Sequence, residues 1–107
     1  MSTAPKSQVL ELKELVSYQE GSVVSRQITK AEGGNVTLFA FDVGQELSEH
    51  TAPFDALLHM LEGKAEIHIS GRSFMLDAGQ AIIMPANEPH GVKALQRFKM
   101  LLSMIHA

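Results

Sequence analysis

Two stretches of sequence decide the fold: GQELSEHTAPFDALLHMLEG at residues 44–63 and GQAIIMPANEPH at residues 79–90. Each stretch begins with a glycine and carries a histidine that follows a turn-forming or loop segment, His50 in the first and His90 in the second. Pro85 and Pro89 both lack the backbone N–H that a central strand must donate, so the residues between them are predicted to form a loop. His90 is therefore expected to emerge from a stiff loop.

Short apolar runs separated by turn residues continue from Ser22 to the C-terminus at intervals of about ten residues, a spacing typical of β-sandwiches and barrels. The pairs Glu62-Gly63 and Ser70-Gly71 can supply tight turns between them. The predicted fold class is all-β, a jelly-roll barrel of two packed antiparallel sheets, with Gly44–Asp55 and Pro85–His90 meeting at one open end. Eight strands are predicted: Val23–Thr29, Val36–Phe41, Leu57–Leu61, Ala65–Ile69, Arg72–Leu76, Gln80–Met84, Val92–Ala94 and Phe98–Ile105.

The length of 107 residues suits one domain. Residues 1–8 are small and polar and are predicted to be a flexible N-terminus, which leaves residues 9–107 as a single barrel domain. Leu12, Leu15 and Val16 lie at helical spacing, so a short helical turn is predicted within Leu10–Val16, as a lid on the barrel end.

The composition excludes several classes of function. The net charge of −3 is spread over interspersed acidic and basic residues, so no nucleic-acid partner is expected. The chain has no cysteine, which removes disulfides, thiolate catalysis and cysteine-based zinc sites. No apolar stretch is long enough to cross a bilayer and no signal peptide is evident, so we expect no membrane association and a cytoplasmic location.

The first stretch resembles the first motif of the cupin superfamily, and the resemblance covers roughly residues 36–105. In that family the motif runs glycine, five residues, histidine, one residue, histidine, three or four residues, glutamate, six residues, glycine. Gly44, His50 and Gly63 match this pattern, whereas Ala52 stands at the second histidine and Ala56 at the glutamate.

The second stretch resembles the second cupin motif. Gly79, Pro85 and His90 match it, whereas Asn87 replaces a glycine and Ala94 an asparagine. The resemblance implies a small single-domain protein of the "cupin 2 conserved barrel" type whose metal-binding motif is degenerate. Small proteins of this kind commonly form homodimers, and residues 23–41 are the region expected to contribute to the dimer.

In the family that the chain resembles, three histidines and a glutamate hold a metal. Only His50 and His90 remain here, and a pair of imidazoles binds a divalent ion such as iron, manganese, zinc or nickel loosely. Glu49 and Asp55 flank the site, but carboxylates beside a barrel mouth are usually solvated.

His59 is the candidate for a third ligand. If Ala56 faces the interior, then Leu58 and Met60 share its face and His59 points outward, unless a bulge reverses the alternation. The candidate ligand-binding residues are therefore His50 and His90, with Leu58 and Met60 as apolar wall and Phe54 as a cap on the pocket mouth.

The sequence indicates no functional role for two other histidines and three serines. His68 is predicted to lie on the exposed face of its strand, and His106 is predicted to fray with the C-terminus. Ser48, Ser70 and Ser73 have no base at a diagnostic spacing, so the sequence supports no serine triad.

Three functions remain open from the sequence. The first is a binding module for a small molecule or a weakly held metal. The second is a metal-dependent oxygenase or isomerase acting on a small oxygenated substrate, and the third is a non-catalytic structural or interaction protein.

Overall fold

Nine strands and one short helical turn make up the fold in the computed structural model, which describes residues 3–105. A 3-10 turn at Leu12–Glu14 precedes the strands, and within the described range no helix is long and apolar enough to cross a membrane. The strands are β1 (Val23–Ala31), β2 (Gly34–Phe41), β3 (Glu46–His50), β4 (Asp55–Glu62), β5 (Lys64–Ile69), β6 (Arg72–Asp77), β7 (Ala81–Met84), β8 (His90–Ala94) and β9 (Phe98–Ile105).

The strands form two antiparallel sheets, one in the order β1-β2-β9-β4-β7 and the other in the order β3-β8-β5-β6. Alternate residues of each strand point into the space between the sheets, as the pleat requires. The inward residues pack into one apolar core, and its largest fully buried members are Phe41, Leu58, Met60, Ile67, Phe98 and Met100. The predicted all-β jelly roll is confirmed.

Strand β3 is the one that the sequence analysis missed, because it placed Glu46–His50 inside a loop. Leu47 is the only apolar residue of this strand, and four of its five residues are exposed, so its sequence carries no alternation. The strand forms because it can pair with β8 at the edge of the smaller sheet.

The N-terminal segment covers the outer face of the larger sheet, not the barrel end where a lid was predicted. Ala4 and Val16 are buried there against Ile28, Leu38 and Ala40. The Ala4 N–H also donates a hydrogen bond to the Ile28 carbonyl at 2.8 Å. Apolar residues on that side of β1 and β2 are therefore shielded by the chain itself.

The end of the barrel away from His50 and His90 is closed by a charged network around Asp42. Its carboxylate accepts hydrogen bonds from Arg97 Nε at 2.8 Å, from the Gly21 N–H at 2.7 Å and from the Val43 N–H at 2.9 Å. The bond from Arg97 first, and then the two backbone N–H groups, lower the pKa of Asp42 to about 2. The Arg97 guanidinium also lies over the Tyr18 ring, 5.1 Å from its centroid, so the network reaches the N-terminal segment.

Candidate functional site

The structure brings the β3–β4 and β7–β8 loops together at one end of the barrel. The Asn87 N–H donates to the Ala52 carbonyl at 2.7 Å, and the Ala86 N–H donates to Asp55 Oδ1 at 2.8 Å. Asp55, which the sequence placed beside the site, is thus occupied in holding one loop to the other. Asn87 has a φ of +65°, a left-handed conformation that asparagine adopts more readily than most residues, so it can replace the glycine of the motif.

His50 and His90 lie side by side at this end. They are direct cross-strand partners in β3 and β8, and their ring centroids are 4.5 Å apart with the planes inclined at 65°. His90 also pairs with the buried Ile69 of β5, so the histidine pair shares the face that points into the barrel. His90 is 6% exposed, whereas His50 stands at the rim and is exposed.

A β-bulge turns His50 inward. Leu47 pairs with Val92 and His50 with His90, so three steps along β3 match two along β8. Leu47 packs against the core, and without the extra residue the alternation would point His50 to the opposite face. The bulge therefore creates the pair of imidazoles.

Both imidazoles are held in the same tautomer by hydrogen bonds to their own loops. Nδ1 of His50 lies 2.8 Å from the Ser48 carbonyl oxygen, and Nδ1 of His90 lies 3.1 Å from the Glu88 carbonyl oxygen. A carbonyl only accepts hydrogen bonds, so each Nδ1 carries the hydrogen and each neutral ring keeps its lone pair on Nε2. Two Nε2 atoms thus face away from the loop backbone, where each can accept a hydrogen bond, take a proton or ligate a metal ion.

Apolar residues face the imidazoles from the opposite sheet. Ala56, Leu58 and Met60 all lie on the inward face of β4, and the last two are fully buried. Met60 is four residues from Ala56, or about 13 Å deeper in the barrel at the rise of a strand. Of the two apolar wall candidates, Leu58 therefore lies nearer the open end.

His59, the candidate third ligand, does not face the histidine pair. His59 is on the outward face of β4, where its cross-strand partners are Leu101 and Ala81. Phe54 is half-buried and lines a 220 Å³ pocket at the rim, together with Pro53, Asp55, Ala86 and Ile105. His106 lies outside the described residues.

The donor set at the site does not make a three-ligand metal centre. Across residues 3–105 no group of three or more histidine, cysteine, aspartate or glutamate side chains is placed to hold a metal ion. Ala52 and Ala56 put methyl groups where the resembling family has its other two ligands. At this site, residues 3–105 therefore supply the two imidazoles and no third metal ligand.

Sequence reasoning missed one cluster, on the outer face of the smaller sheet. Ser73 Oγ lies 3.2 Å from Nδ1 of His68, whose Nε2 lies 3.5 Å from Glu66 Oε2. The rejection of a serine triad rested on spacing along the chain. The predicted Ser70-Gly71 turn was the signal that could have found the cluster, because a two-residue turn places His68 directly opposite Ser73.

Comparisons with known proteins agree with this architecture. A conserved protein of unknown function from Streptococcus pyogenes is 34% identical, with a TM-score of 0.91 over 100% of this chain and 96% of that one. A cupin superfamily protein from Desulfitobacterium hafniense is 26% identical, with a TM-score of 0.91 over 99% and 97% of the two chains. A cupin 2 conserved barrel domain protein from Leptotrichia buccalis is 36% identical, with a TM-score of 0.87 over 90% of this chain and 47% of that one.

None of the curated proteins compared with the chain matches it. The Cupin domain family matches residues 37–105, which include every strand except β1 and the start of β2. This stretch contains both motif histidines, both loops of the open end and most of the core. The chain therefore belongs to the cupin family.

Proposed function

We propose that this cupin binds a small oxygenated molecule at its open end, between His50 and His90. The observation that carries the proposal is that the two rings lie next to each other, with centroids 4.5 Å apart, and that each ring bonds a backbone carbonyl through Nδ1, which leaves Nε2 to meet a ligand. The two backbone carbonyls that fix the tautomers pre-organise this arrangement, so binding would not have to order the rings. A few convergent polar groups above an apolar wall are typical of small-molecule sites.

The tautomers favour ligands that bring hydrogen-bond donors. Each neutral imidazole offers an acceptor at Nε2, to which a ligand hydroxyl can donate, whereas a protonated imidazole can donate from Nε2 to a carboxylate. The methyl groups of Ala52 and Ala56 and the side chain of Leu58 offer no polar partner. Small carboxylic acids and sugars are therefore the ligand classes to test first.

A weakly held divalent ion is the other form of this proposal. Iron, manganese, zinc or nickel would take two nitrogens from the described chain, with water or a bound ligand completing the coordination. We expect a weaker affinity than that of a three-ligand centre, with protons competing as the pH falls.

The two other hypotheses have less support. A metal-dependent oxygenase or isomerase needs a further ligand beside His50 and His90, and His59 faces the wrong side of β4 to supply one. A purely structural protein would have no need of two imidazoles that are both fixed by backbone carbonyls while no residue of 3–105 is bonded to either Nε2.

Thermal unfolding with a panel of small carboxylic acids and sugars, in buffer free of metal ions, tests the proposal. A ligand present at 100 times its dissociation constant should stabilise the chain by about 2.7 kcal/mol, a shift of several degrees. The shift should disappear in His50→Ala and in His90→Ala and persist in His59→Ala, the matched control on the outward face.

Metal analysis of protein purified without chelator distinguishes the two forms. Near one equivalent of metal per chain, lost in both His50→Ala and His90→Ala, would favour the ion. A thermal shift without metal would favour the organic ligand. If neither ligand nor metal binds, or if binding survives both substitutions, the proposal is wrong.

We also propose that the chain forms a homodimer, as expected from its resemblance to small cupins. Strand β1 is at the edge of the larger sheet, and an open edge is a surface that pairing would cover. Ala4 already occupies the Ile28 carbonyl on that edge, so the partner would use the part of β1 before it. Light scattering at increasing concentration should give twice the chain mass, and a constant single-chain mass would contradict this.

We also propose a cytoplasmic location, which, like the dimer, is an expectation from the sequence. A chain without cysteine needs no oxidising compartment to fold. Fractionation of cells that express the chain from its own gene should recover it with the cytoplasmic markers, and recovery with a membrane or secreted fraction would contradict the assignment.

A further inference from the structure

A serine, a histidine and a glutamate form a continuous chain of contacts on the outer face of the smaller sheet, away from the barrel interior. His68 and Glu66 lie two residues apart on β5, so they share one face, and Ser73 of β6 is the direct cross-strand partner of His68. The Ser73 side chain is exposed, the His68 side chain is 40% exposed and that of Glu66 is 20% exposed. The cluster is therefore open to solvent at the serine and more enclosed at the carboxylate.

The direction of the hydrogen bonds in this cluster follows from its members. The Glu66 carboxylate lies 3.5 Å from Nε2 of His68, too far for a strong hydrogen bond, but its negative charge favours the tautomer with the hydrogen on that nitrogen. Nδ1 then holds the lone pair and accepts from the Ser73 hydroxyl at 3.2 Å. This is the order of a base-assisted nucleophile: hydroxyl, imidazole as base, carboxylate as the group that orients the imidazole.

Ser73 also borders a wide, open cleft. An open space of about 630 Å³ lies where the edge strands of the two sheets, β6 and β7, separate, and it is lined by residues 73–76 and 80–82. Met75, Leu76 and Ile82 give this cleft an apolar wall. Ser73 lies at the rim of this cleft, so the acyl group of a small ester could lie against Met75, which is on the same face of β6 as Ser73.

The backbone of β6 supplies a hydrogen-bond donor at the same place. The two-residue turn at Ser70-Gly71 makes Ile69 and Arg72 a hydrogen-bonded pair, so His68 and Ser73 form the next, non-hydrogen-bonded pair. The Ser73 N–H thus points to the free edge of the sheet. The N–H of Asp77, four residues further along β6, points to the same free edge, and it donates to Gln80 Oε1 at 2.8 Å.

We infer that Ser73 is a nucleophile for acyl transfer, with His68 as its general base and Glu66 as the residue that positions His68. Ser73 Oγ attacks the carbonyl carbon of a small ester while its proton passes to Nδ1 of His68, and the oxyanion accepts from the Ser73 N–H. The C–O bond to the leaving group then breaks, and the alcohol departs with the proton from His68. Water hydrolyses the acyl-serine by the same route, which releases the carboxylic acid and restores Ser73.

Labelling with a fluorophosphonate probe, followed by peptide mass spectrometry, tests this inference on the full chain. Ser73 should be labelled at least about 100-fold faster than Ser25, because a positioned base typically contributes that much or more. Ser25 is the internal control, since it is also an exposed serine on a strand of the single chain. Because β1 is the proposed dimer edge, labelling is measured at concentrations where light scattering gives the single-chain mass. Release of 4-nitrophenol from 4-nitrophenyl acetate should show the same dependence on Ser73.

Variants separate a chemical role from a structural one. His68→Ala should lower labelling of Ser73 to the rate of Ser25, and added imidazole should restore part of it, which a merely structural role of His68 would not allow. Glu66→Gln should give an intermediate rate. Labelling of Ser73 at the rate of Ser25, or a rate that His68→Ala leaves unchanged, overturns the inference. His59→Ala, which changes a histidine outside both sites, should leave labelling intact. The test involves neither His50 nor His90, so its outcome is independent of the proposed ligand site.

Discussion

Replacement of Gly63 by alanine should destabilise the barrel well beyond the ordinary cost of a left-handed residue. Gly63 connects β4 to β5 with a φ of +84°. A Cβ there would lie 1.9 Å from the Arg97 carbonyl oxygen and 2.7 Å from Phe98 Cα. Both are backbone atoms, and Phe98 is fully buried, so neither can move aside easily.

Gly79 provides the matched control for this substitution. Its φ is +87°, almost the same, but a Cβ there would meet nothing within 4 Å. Gly79→Ala should therefore cost only the backbone penalty, about 1–2 kcal/mol. Gly63→Ala adds an overpacking cost of about 1–3 kcal/mol, for a total of about 2–5 kcal/mol.

Urea unfolding followed by circular dichroism measures both variants on one scale. The free energy of unfolding of Gly63→Ala should fall below that of Gly79→Ala by at least about 1 kcal/mol. Failure of Gly63→Ala to fold while Gly79→Ala folds would be the extreme form of the same result. Equal stability of the two variants would refute the reasoning, because it would mean that the backbone around Phe98 yields to the added methyl group.

Three further substitutions test the network, the loop and the core by the same unfolding assay. The pKa of Asp42 is lowered in the folded chain, so its ion pair stabilises the fold above the ordinary carboxyl pKa, and this stabilisation is lost as the pH falls from about 4 to about 2. In Asp42→Asn the free energy of unfolding should therefore depend less on pH in that window. The same pH dependence as in the unsubstituted chain would contradict this. Asn87→Val should lower the free energy of unfolding by about 1–2 kcal/mol, because a β-branched residue is disfavoured at the φ of +65° that Asn87 adopts. Asn87→Gly should leave the free energy of unfolding unchanged. Equal losses in the two variants would contradict the left-handed conformation of this loop. Phe98→Ala should cost about 3–5 kcal/mol, since the ring is fully buried and stacks on Phe41 at 4.5 Å, and a loss under about 1 kcal/mol would mean that the core repacks.

Much of the barrel is predictable because its central strands carry regular alternation. Ala56, Leu58 and Met60 were placed on the inward face from parity, and His59 on the outward face. The structure has that arrangement, since pleating leaves no other choice to a strand buried on one side. Pro85 and Pro89 likewise bounded the β7–β8 loop because neither can donate within a ladder.

The features that escaped prediction depend on pairing, which the sequence does not display. Strand β3 has one apolar residue, and it becomes a strand only by joining β8. The inward turn of His50 needs a bulge whose position is set by the register between those two strands. The contact between Ser73 and His68 required the hairpin register to be followed through the Ser70-Gly71 turn.

The central claim is that His50 and His90 present their Nε2 lone pairs to one ligand, and ¹⁵N spectra of the imidazole rings during a zinc titration test it most directly. Before zinc is added, both rings should show a protonated Nδ1 and an unprotonated Nε2. As zinc is added, the Nε2 resonances of these two residues should shift together at one midpoint, while His59 and His68 stay unchanged. Separate midpoints, a shift in one ring alone or an Nε2–H tautomer in either would contradict the account.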